Sequence, residues 1–217
     1  MRRFVEAFNS AAAPPSPQEM GEKLLSLLMK PQLLDEGEQA SCLSLIERGA
    51  ALTVGNQWGQ TPLWLAARQG EDVVLRALLG QCADNIEERC HSGWTPLIIA
   101  SSRNRAGAVE LLLEAGADIS AADTHQGKET ALFHALKGTG GDVAICDTVA
   151  LLLAKNSDLG IKNKYGQTVL EVAEEEAVGD VVKTMIREHI FLKEAEAGTK
   201  RKRKIRRRQG LGTGVGA

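Results

Sequence analysis

Two short amphipathic segments follow each other in residues 59–80, GQTPLWLAARQGEDVVLRALLG. Thr61 before Pro62 is typical of a helix start, because the hydroxyl caps free N–H groups and proline has no N–H to leave unpaired. Gly70 separates the two segments. Apolar residues recur at helical spacing in both: Leu63, Ala66 and Ala67, then Val74, Leu75, Leu78 and Leu79. The pattern predicts a pair of helices, each too short to be stable alone.

This pattern occurs four times, and each copy is aligned by a threonine. The copies read GQTPLWLAA, GWTPLIIAS, KETALFHAL and GQTVLEVAE, with Thr61, Thr95, Thr130 and Thr168 at spacings of 34, 35 and 38 residues. Each copy continues into a second apolar segment, and the first three end at CAD, GAD or NSD. An earlier RGAAL at residues 48–52 fits the end of one more copy, so the chain is predicted to contain about five units.

The copies resemble the ankyrin repeat, which has a 33-residue period and a T-P-L-H-x-A signature. Relative to 33 residues, the surplus falls in turns: one and two residues before Thr95 and Thr130, and five around KGTGGDVA in the fourth unit. The resemblance covers about residues 20–190. It implies an all-α repeat solenoid of about five helix–turn–helix units, joined by β-hairpin-like turns and each stabilised by its neighbours.

The resemblance also gives domain boundaries. We expect a disordered segment at 1–18, a repeat domain at 19–197, and a disordered basic and glycine-rich tail at 198–217. The units are predicted at 19–55, 56–89, 90–122, 123–162 and 163–197. Glu174, Glu175 and Glu176 would give the last unit the charged outer face of a terminal cap.

Composition and charge narrow the class of protein. Hydrophobic residues make up 43% and charged residues 25% of the 217-residue chain, as in ordinary globular proteins. The four cysteines form no CxxC pair, which favours a reducing compartment. The first residues have no continuous apolar stretch, so we expect no secretory leader, and no stretch of the sequence has the roughly 20 apolar residues of a membrane span. We therefore expect a cytoplasmic or nuclear protein, neither secreted nor transmembrane, that is monomeric.

No catalytic, metal or cofactor site is predicted. The four histidines show no metal-ligand spacing and no catalytic triad pattern. His134 near Asp142 and Asp147 is best explained as a polar residue of a binding face. The glycines of GTGGD, residues 138–142, lack the lysine and hydroxyl residue of a phosphate-binding loop, so they indicate an enlarged turn.

The resemblance instead implies a protein-binding surface at the hairpin tips and on the concave face of the first helices. Trp58, Trp94 and Tyr165 are of residue types enriched at binding hot spots, although aromatic residues beside a hairpin glycine can also pack only the turn. The predicted partner-binding residues are Gln57, Trp58, Gln60, Arg68, Gln69, His91, Ser92, Trp94, Ser102, Arg103, Gln126, Lys128, Glu129, Lys137, Lys164, Tyr165 and Gln167.

A basic run, KRKRKIRRR, occupies residues 200–208. It carries eight positive charges, whereas residues 1–199 carry 18 basic and 28 acidic residues. The run is typical of a nuclear-localisation signal that an import receptor would bind. The residues concerned are Lys200, Arg201, Lys202, Arg203, Lys204, Arg206, Arg207 and Arg208.

Two functions remain open from the sequence. The first is a non-catalytic scaffold or adaptor that binds a protein partner through its repeats. The alternative is a nucleic-acid-associated regulator whose tail contacts phosphates. Because no aromatic residues interrupt the run, such contacts would be salt-sensitive and unspecific.

Overall fold

The fold is a stack of antiparallel helix pairs in a computed structural model that describes residues 14–125, 127–176 and 178–208. Ten α-helices form five pairs within these ranges, and no β-strand does. The helices are α1 Pro17–Leu28, α2 Glu36–Glu47, α3 Pro62–Gln69, α4 Asp72–Leu79, α5 Pro96–Ser102, α6 Ala106–Glu114, α7 Ala131–Leu136, α8 Asp142–Ala154, α9 Val169–Glu175 and α10 Asp180–Arg208. The predicted all-α solenoid of about five units is confirmed.

The repeated threonines cap the first helix of the repeats that they begin. The hydroxyls of Thr61, Thr95 and Thr168 accept the backbone N–H three residues on, at 3.3, 3.3 and 3.4 Å. Thr130 also stands at the helix start, but its side chain makes no capping hydrogen bond. Gly70 and Asn104 end the equivalent turns with φ of 79° and 49°. Glycine and asparagine adopt this left-handed conformation at low cost, which explains their places in the repeat.

The helices form two layers. Helices α1, α3, α5, α7 and α9 pack against each other in sequence as an inner row, and α2, α4, α6, α8 and α10 form the outer row. The core runs continuously between the rows. Its largest fully buried side chains include Phe133, Leu65, Leu75, Leu112 and Leu132. Burying each such side chain stabilises the fold by about 1.5–3 kcal/mol, and most of that burial is against neighbouring units.

Hairpin-like turns project from the inner row before each repeat. In each, the first backbone N–H donates to a carbonyl across the turn: Asn56 to Gln60 and Asn163 to Gln167, at 3.1 and 3.0 Å. In the fourth unit the bond joins Asp123 to Glu129, so that turn is two residues longer, as its sequence predicts. Backbone hydrogen bonds also link tip to tip, from His91 N to Trp58 O at 2.9 Å and from Lys164 N to Gly127 O at 2.7 Å.

Two buried side chains fix the first helix pair to the second. Gln69 Nε2 donates to the carbonyl of Leu28 at 2.7 Å, and to that of Lys30. The carboxylate of Glu71 accepts the backbone N–H of Leu34 at 2.6 Å and the side-chain amide of Gln39 at 3.1 Å. These bonds hold α1 and α2 on the stack by polar contacts in addition to apolar packing.

Two parts of the chain differ from the sequence-based expectation. The five surplus residues of the fourth unit lie only partly in a turn, because α8 has 13 residues where α6 has nine. The predicted disordered tail also differs, since α10 continues without a break to Arg208. Residues 193–208 are mostly Lys, Arg, Glu and Ala, which are strong helix formers. Residues 1–13 and 209–217, which were predicted to be disordered, lie outside the described ranges.

Among the described residues, no helix is both long enough and apolar enough to cross a bilayer.

Candidate functional site

The hairpin tips present two exposed aromatic side chains on the inner side of the stack. Trp58 is 49% exposed and Tyr165 is 70% exposed, at equivalent positions just before the turn glycines Gly59 and Gly166. Those glycines have φ of 70° and 80°, a conformation that favours glycine and allows the tight turn. Lys164 places its ammonium 5.0 Å from the centre of the Tyr165 ring. These side chains are therefore available to another molecule.

Trp94 lies in a different environment, because it follows its turn glycine. Its ring is half-buried, packs against the core, and has its centre 4.6 Å from that of the His134 ring. Of the three predicted aromatic contacts, Trp94 thus belongs to the wall of the inner face rather than to a tip.

A groove opens between α3 and α5 beneath the second and third tips. It contains a cavity of about 250 Å³. The lining residues are Gln60, Trp64 and Arg68 on one side, and Cys90, Ser92, Trp94, Ile99 and Arg103 on the other. Five of these eight residues were predicted to bind a partner, and the fold brings these five side chains together in one groove.

The groove is rich in hydrogen-bond donors. Within the described structure, Arg68 and Arg103 form no ion pair; the Arg68 guanidinium lies 5.9 Å from the centre of the Trp64 ring. Burial, and then the charge of Arg103, lower the pKa of Arg68. The indole N–H groups of Trp64 and Trp94 are buried and have no hydrogen-bond partner in the described part of the chain. Because these two nitrogens are closed to solvent, the guanidinium groups of Arg68 and Arg103 are the charged donors that line the groove.

Other predicted binding residues fall into three groups. Gln69 and Glu129, both predicted to bind a partner, are buried and hydrogen-bonded within the protein. Gln126 lies outside the described residues. The remaining side chains are exposed or half-buried on the tips and inner face: Gln57, His91, Ser102, Lys128, Lys137 and Gln167.

A buried polar cluster links the fourth hairpin to the fifth. Asp123 accepts the backbone N–H groups of Gly127 and Glu129, both at 2.9 Å, and lies 3.2 Å from His134 Nε2. Glu129 Oε1 accepts from Lys137 Nζ at 2.6 Å and from the side-chain amide of Asn163 at 3.1 Å. Burial lowers the pKa of His134, although the hydrogen bond to Asp123 opposes this shift.

The same cluster offers three potential metal ligands that the sequence analysis did not bring together. One ligand atom each of Asp123, Glu129 and His134 lies within 4.8 Å of the others. Both carboxylates, however, accept hydrogen bonds from N–H groups, and the Lys137 ammonium contacts Glu129. The cluster is therefore a structural link between repeats. Asp123 occupies the same position in its turn as Asn56 and Asn163 occupy in theirs. An alignment of the turns would therefore have identified Asp123 as part of this cluster.

The inner face changes charge along its length. Arg68 and Arg103 make the middle basic, whereas Glu174, Glu175 and Glu176 are exposed at the last unit, as predicted for a cap. Glu174 pairs with Arg187 of α10, and Glu175 accepts from Gln167 Nε2 at 2.6 Å. For the basic run, the structure describes only the helical backbone of residues 200–208 and not its side chains.

Two layers of short helices with projecting turns and a groove on the inner row define a helical repeat protein. The profile of ankyrin repeats in three copies matches residues 34–123, which cover the second and third units and the outer helix of the first. Residues 34–123 therefore belong to the ankyrin repeat family. Ankyrin repeats generally mediate interactions between proteins.

Several curated proteins are similar to the chain over these repeats. The ankyrin repeat and KH domain-containing protein mask of Drosophila melanogaster is 37% identical over 110 residues, 51% of this chain and 3% of mask. The mouse B-cell lymphoma 3 protein homolog is 30% identical over 146 residues, 66% of this chain and 31% of that protein. Neurogenic locus notch homolog protein 1 of Xenopus laevis is 31% identical over 129 residues, which are 59% of this chain and 5% of that protein. The chain thus spans less than a third of the length of each of these relatives.

Proposed function

We propose that the protein is a non-catalytic scaffold or adaptor that binds a protein partner along the hairpin tips and inner helices. The observation that carries the proposal is the pair of aromatic side chains at the tips, Trp58 and Tyr165, which the fold leaves 49% and 70% exposed. The two rings stand at equivalent positions of different repeats, just before Gly59 and Gly166, so the repeats place aromatic surface along one row of turns. Tryptophan and tyrosine are also among the residues that contribute most to protein interfaces.

The second support is the combination of tips and groove in one row. Backbone hydrogen bonds join the tips, and one of them, from the N–H of His91 to the carbonyl of Trp58, holds the Trp58 backbone beside the third hairpin. A rigid backbone that presents free side chains loses little conformational entropy on binding. The groove between α3 and α5 would then receive a side chain of the same partner.

Affinity capture with the full chain tests this function. Changing Trp58 and Tyr165 to alanine should weaken binding of the captured partner by about 2 kcal/mol or more at the better of the two. The melting temperature should stay nearly unchanged, because neither ring is buried. Phe191→Ala is the matched control, since Phe191 is 69% exposed on outer helix α10, away from the tips. Unchanged binding by both tip variants, or equal weakening by Phe191→Ala, would reject the proposed surface.

We also propose that the basic run directs the protein to the nucleus by binding an import receptor, so that it occupies both cytoplasm and nucleus. Support comes from its eight positive charges in nine residues. Deleting residues 200–208 should abolish nuclear accumulation while leaving partner capture intact. Under the alternative function, the purified full chain would bind nucleic acid, and this binding would weaken steeply as the salt concentration rises. The purified deletion variant would lose that binding.

A further inference from the structure

The groove between α3 and α5 has the chemistry of a receptor for a negatively charged group. Two guanidinium groups, those of Arg68 and Arg103, line the same cavity of about 250 Å³. Among the described residues that line it, none is acidic. Two like charges near one cavity repel each other, and the charge of Arg103 contributes to the lowered pKa of Arg68. An anion between them would remove this repulsion.

The two tryptophans of the groove supply surface and not an accessible donor. Trp64 is only 5% exposed, and the indole nitrogens of Trp64 and Trp94 are closed to solvent. A ligand in the groove therefore meets the two guanidinium groups as its charged donors and the indole rings as apolar walls.

The walls of the groove favour a carboxylate on an aliphatic stem over a phosphate. Ile99 and the two indole rings supply apolar surface that can cover methylene groups. A planar carboxylate matches the fork of a guanidinium group with two hydrogen bonds. A phosphoryl group carries about −1.5 to −2 charges and is more costly to remove from water. Among the described residues, the cations that line the groove are Arg68 and Arg103, and Arg68 is half-buried against the Trp64 ring.

We propose that this groove binds the side-chain carboxylate of an aspartate or glutamate in an acidic segment of the partner protein. The proposal rests on the proposed function and adds the chemistry of the partner. Because Glu174, Glu175 and Glu176 make the far end of the inner face negative, the acidic residue of the partner lies over the second and third units and not over the fifth.

Binding of defined peptides to the full chain tests the proposal. The probes are acetylated and amidated hexapeptide pools with randomised flanking positions and one fixed central residue. The fixed residues are Asp, Glu, Asn, Gln and phosphoserine. The Asp or Glu pool should bind at least about tenfold more strongly than its amide counterpart, as expected for a charge-assisted contact. Binding should also change the fluorescence of Trp64 and Trp94, read in a Trp58→Phe background.

Variants with matched charge changes locate the site. Changing both Arg68 and Arg103 to glutamine should remove the preference for Asp and Glu. The matched control changes Arg48 and Arg76, which are exposed on the outer row, to glutamine and should leave the preference intact. Circular dichroism melting curves check that each variant is folded, and if the double groove variant melts early, the two single variants replace it.

The outcomes separate this proposal from the proposed function. Three results would overturn the proposal that the groove binds a carboxylate. The acidic and amide pools could bind equally, the folded groove variants could keep the preference for Asp and Glu, or the phosphoserine pool could bind most strongly. If capture of the partner still requires Trp58 or Tyr165 in any of these cases, the proposed protein-binding function stands although the groove does not bind a carboxylate. If the tip variants capture the partner normally, the proposed function fails independently of the peptide result.

Discussion

At the scale of single residues, the position of a side chain around the turn glycine decides its role. Trp58 precedes Gly59 and is exposed, whereas Trp94 follows Gly93 and packs against His134 at a ring-centre distance of 4.6 Å. Both tryptophans adjoin the glycine of a repeat turn, Trp58 three residues before Thr61 and Trp94 directly before Thr95. The difference arises because the two sides of the turn face opposite directions, one toward solvent and one toward the groove.

His134 makes folding stability depend on pH. Burial lowers its pKa in the folded protein, against the opposing hydrogen bond to Asp123 and the charges of Glu129 and Asp123. The unfolded chain therefore binds more protons at this site once the pH falls below about 6.5, the usual histidine value. The contribution of His134 to the free energy of unfolding is therefore complete above that pH and decreases as the pH falls toward the folded-state pKa.

We predict that His134→Gln reduces the loss of stability between pH 7 and pH 5. Glutamine can keep a side-chain N–H near Asp123 but does not titrate, so the pH-dependent contribution disappears. Urea unfolding at a series of pH values measures the effect. The exposed His91 provides the control variant His91→Gln. The explanation fails if both variants show the pH dependence of the original protein.

At the scale of helices and turns, the sequence predicts the repeated part accurately because the local signals agree. The spacing of Thr61, Thr95, Thr130 and Thr168 places the first helix of each repeat, and Gly70 and Asn104 mark where such helices end. The contacts within the groove could not be predicted, because they depend on the packing of one unit against the next. Gln69 illustrates this, since a polar residue at a helix end reads as surface but is buried against the first helix pair.

The two misplaced segments have a different cause. A glycine-rich stretch before α8 and a charged stretch after residue 197 both read as irregular structure. The tail residues have high helix propensity, so the helix continues from the packed part of α10. The first turn of α8 instead has residues of lower propensity and is held by the burial of Ile145. Helix α8 therefore absorbs most of the fourth-unit surplus, and α10 extends through the basic run.

Glu71 is predicted to couple the first helix pair to the rest of the stack. In Glu71→Ala, the backbone N–H of Leu34 and the amide of Gln39 lose their acceptor. We expect a loss of about 1–3 kcal/mol in the free energy of unfolding, with faster hydrogen exchange in residues 17–47. Urea unfolding and hydrogen-exchange mass spectrometry measure both effects, with Glu110→Ala on the exposed side of α6 as the control. Equal stability of the two variants would contradict the proposed coupling.

At the scale of the whole molecule, the stack combines one continuous core with a candidate binding surface along its inner side. Both rows of helices contribute to the apolar core, while the tips expose Trp58 and Tyr165 and the groove is lined by Arg68 and Arg103. A repeat stack can vary its inner side chains without losing the contacts between units. Its charge is also divided, with a basic groove in the middle of the inner face and exposed carboxylates at its end.

Hydrogen exchange of the full chain with and without its captured partner tests the central claim most directly. The account predicts that saturation with the partner slows exchange in residues 56–69 and 90–103, which contain the tips and inner helices of the second and third units. Exchange in outer helices α4 and α6 should change little. Protection confined to the outer helices, with residues 56–69 and 90–103 unaffected, would show that the partner binds elsewhere and that the inner face is not the interaction surface.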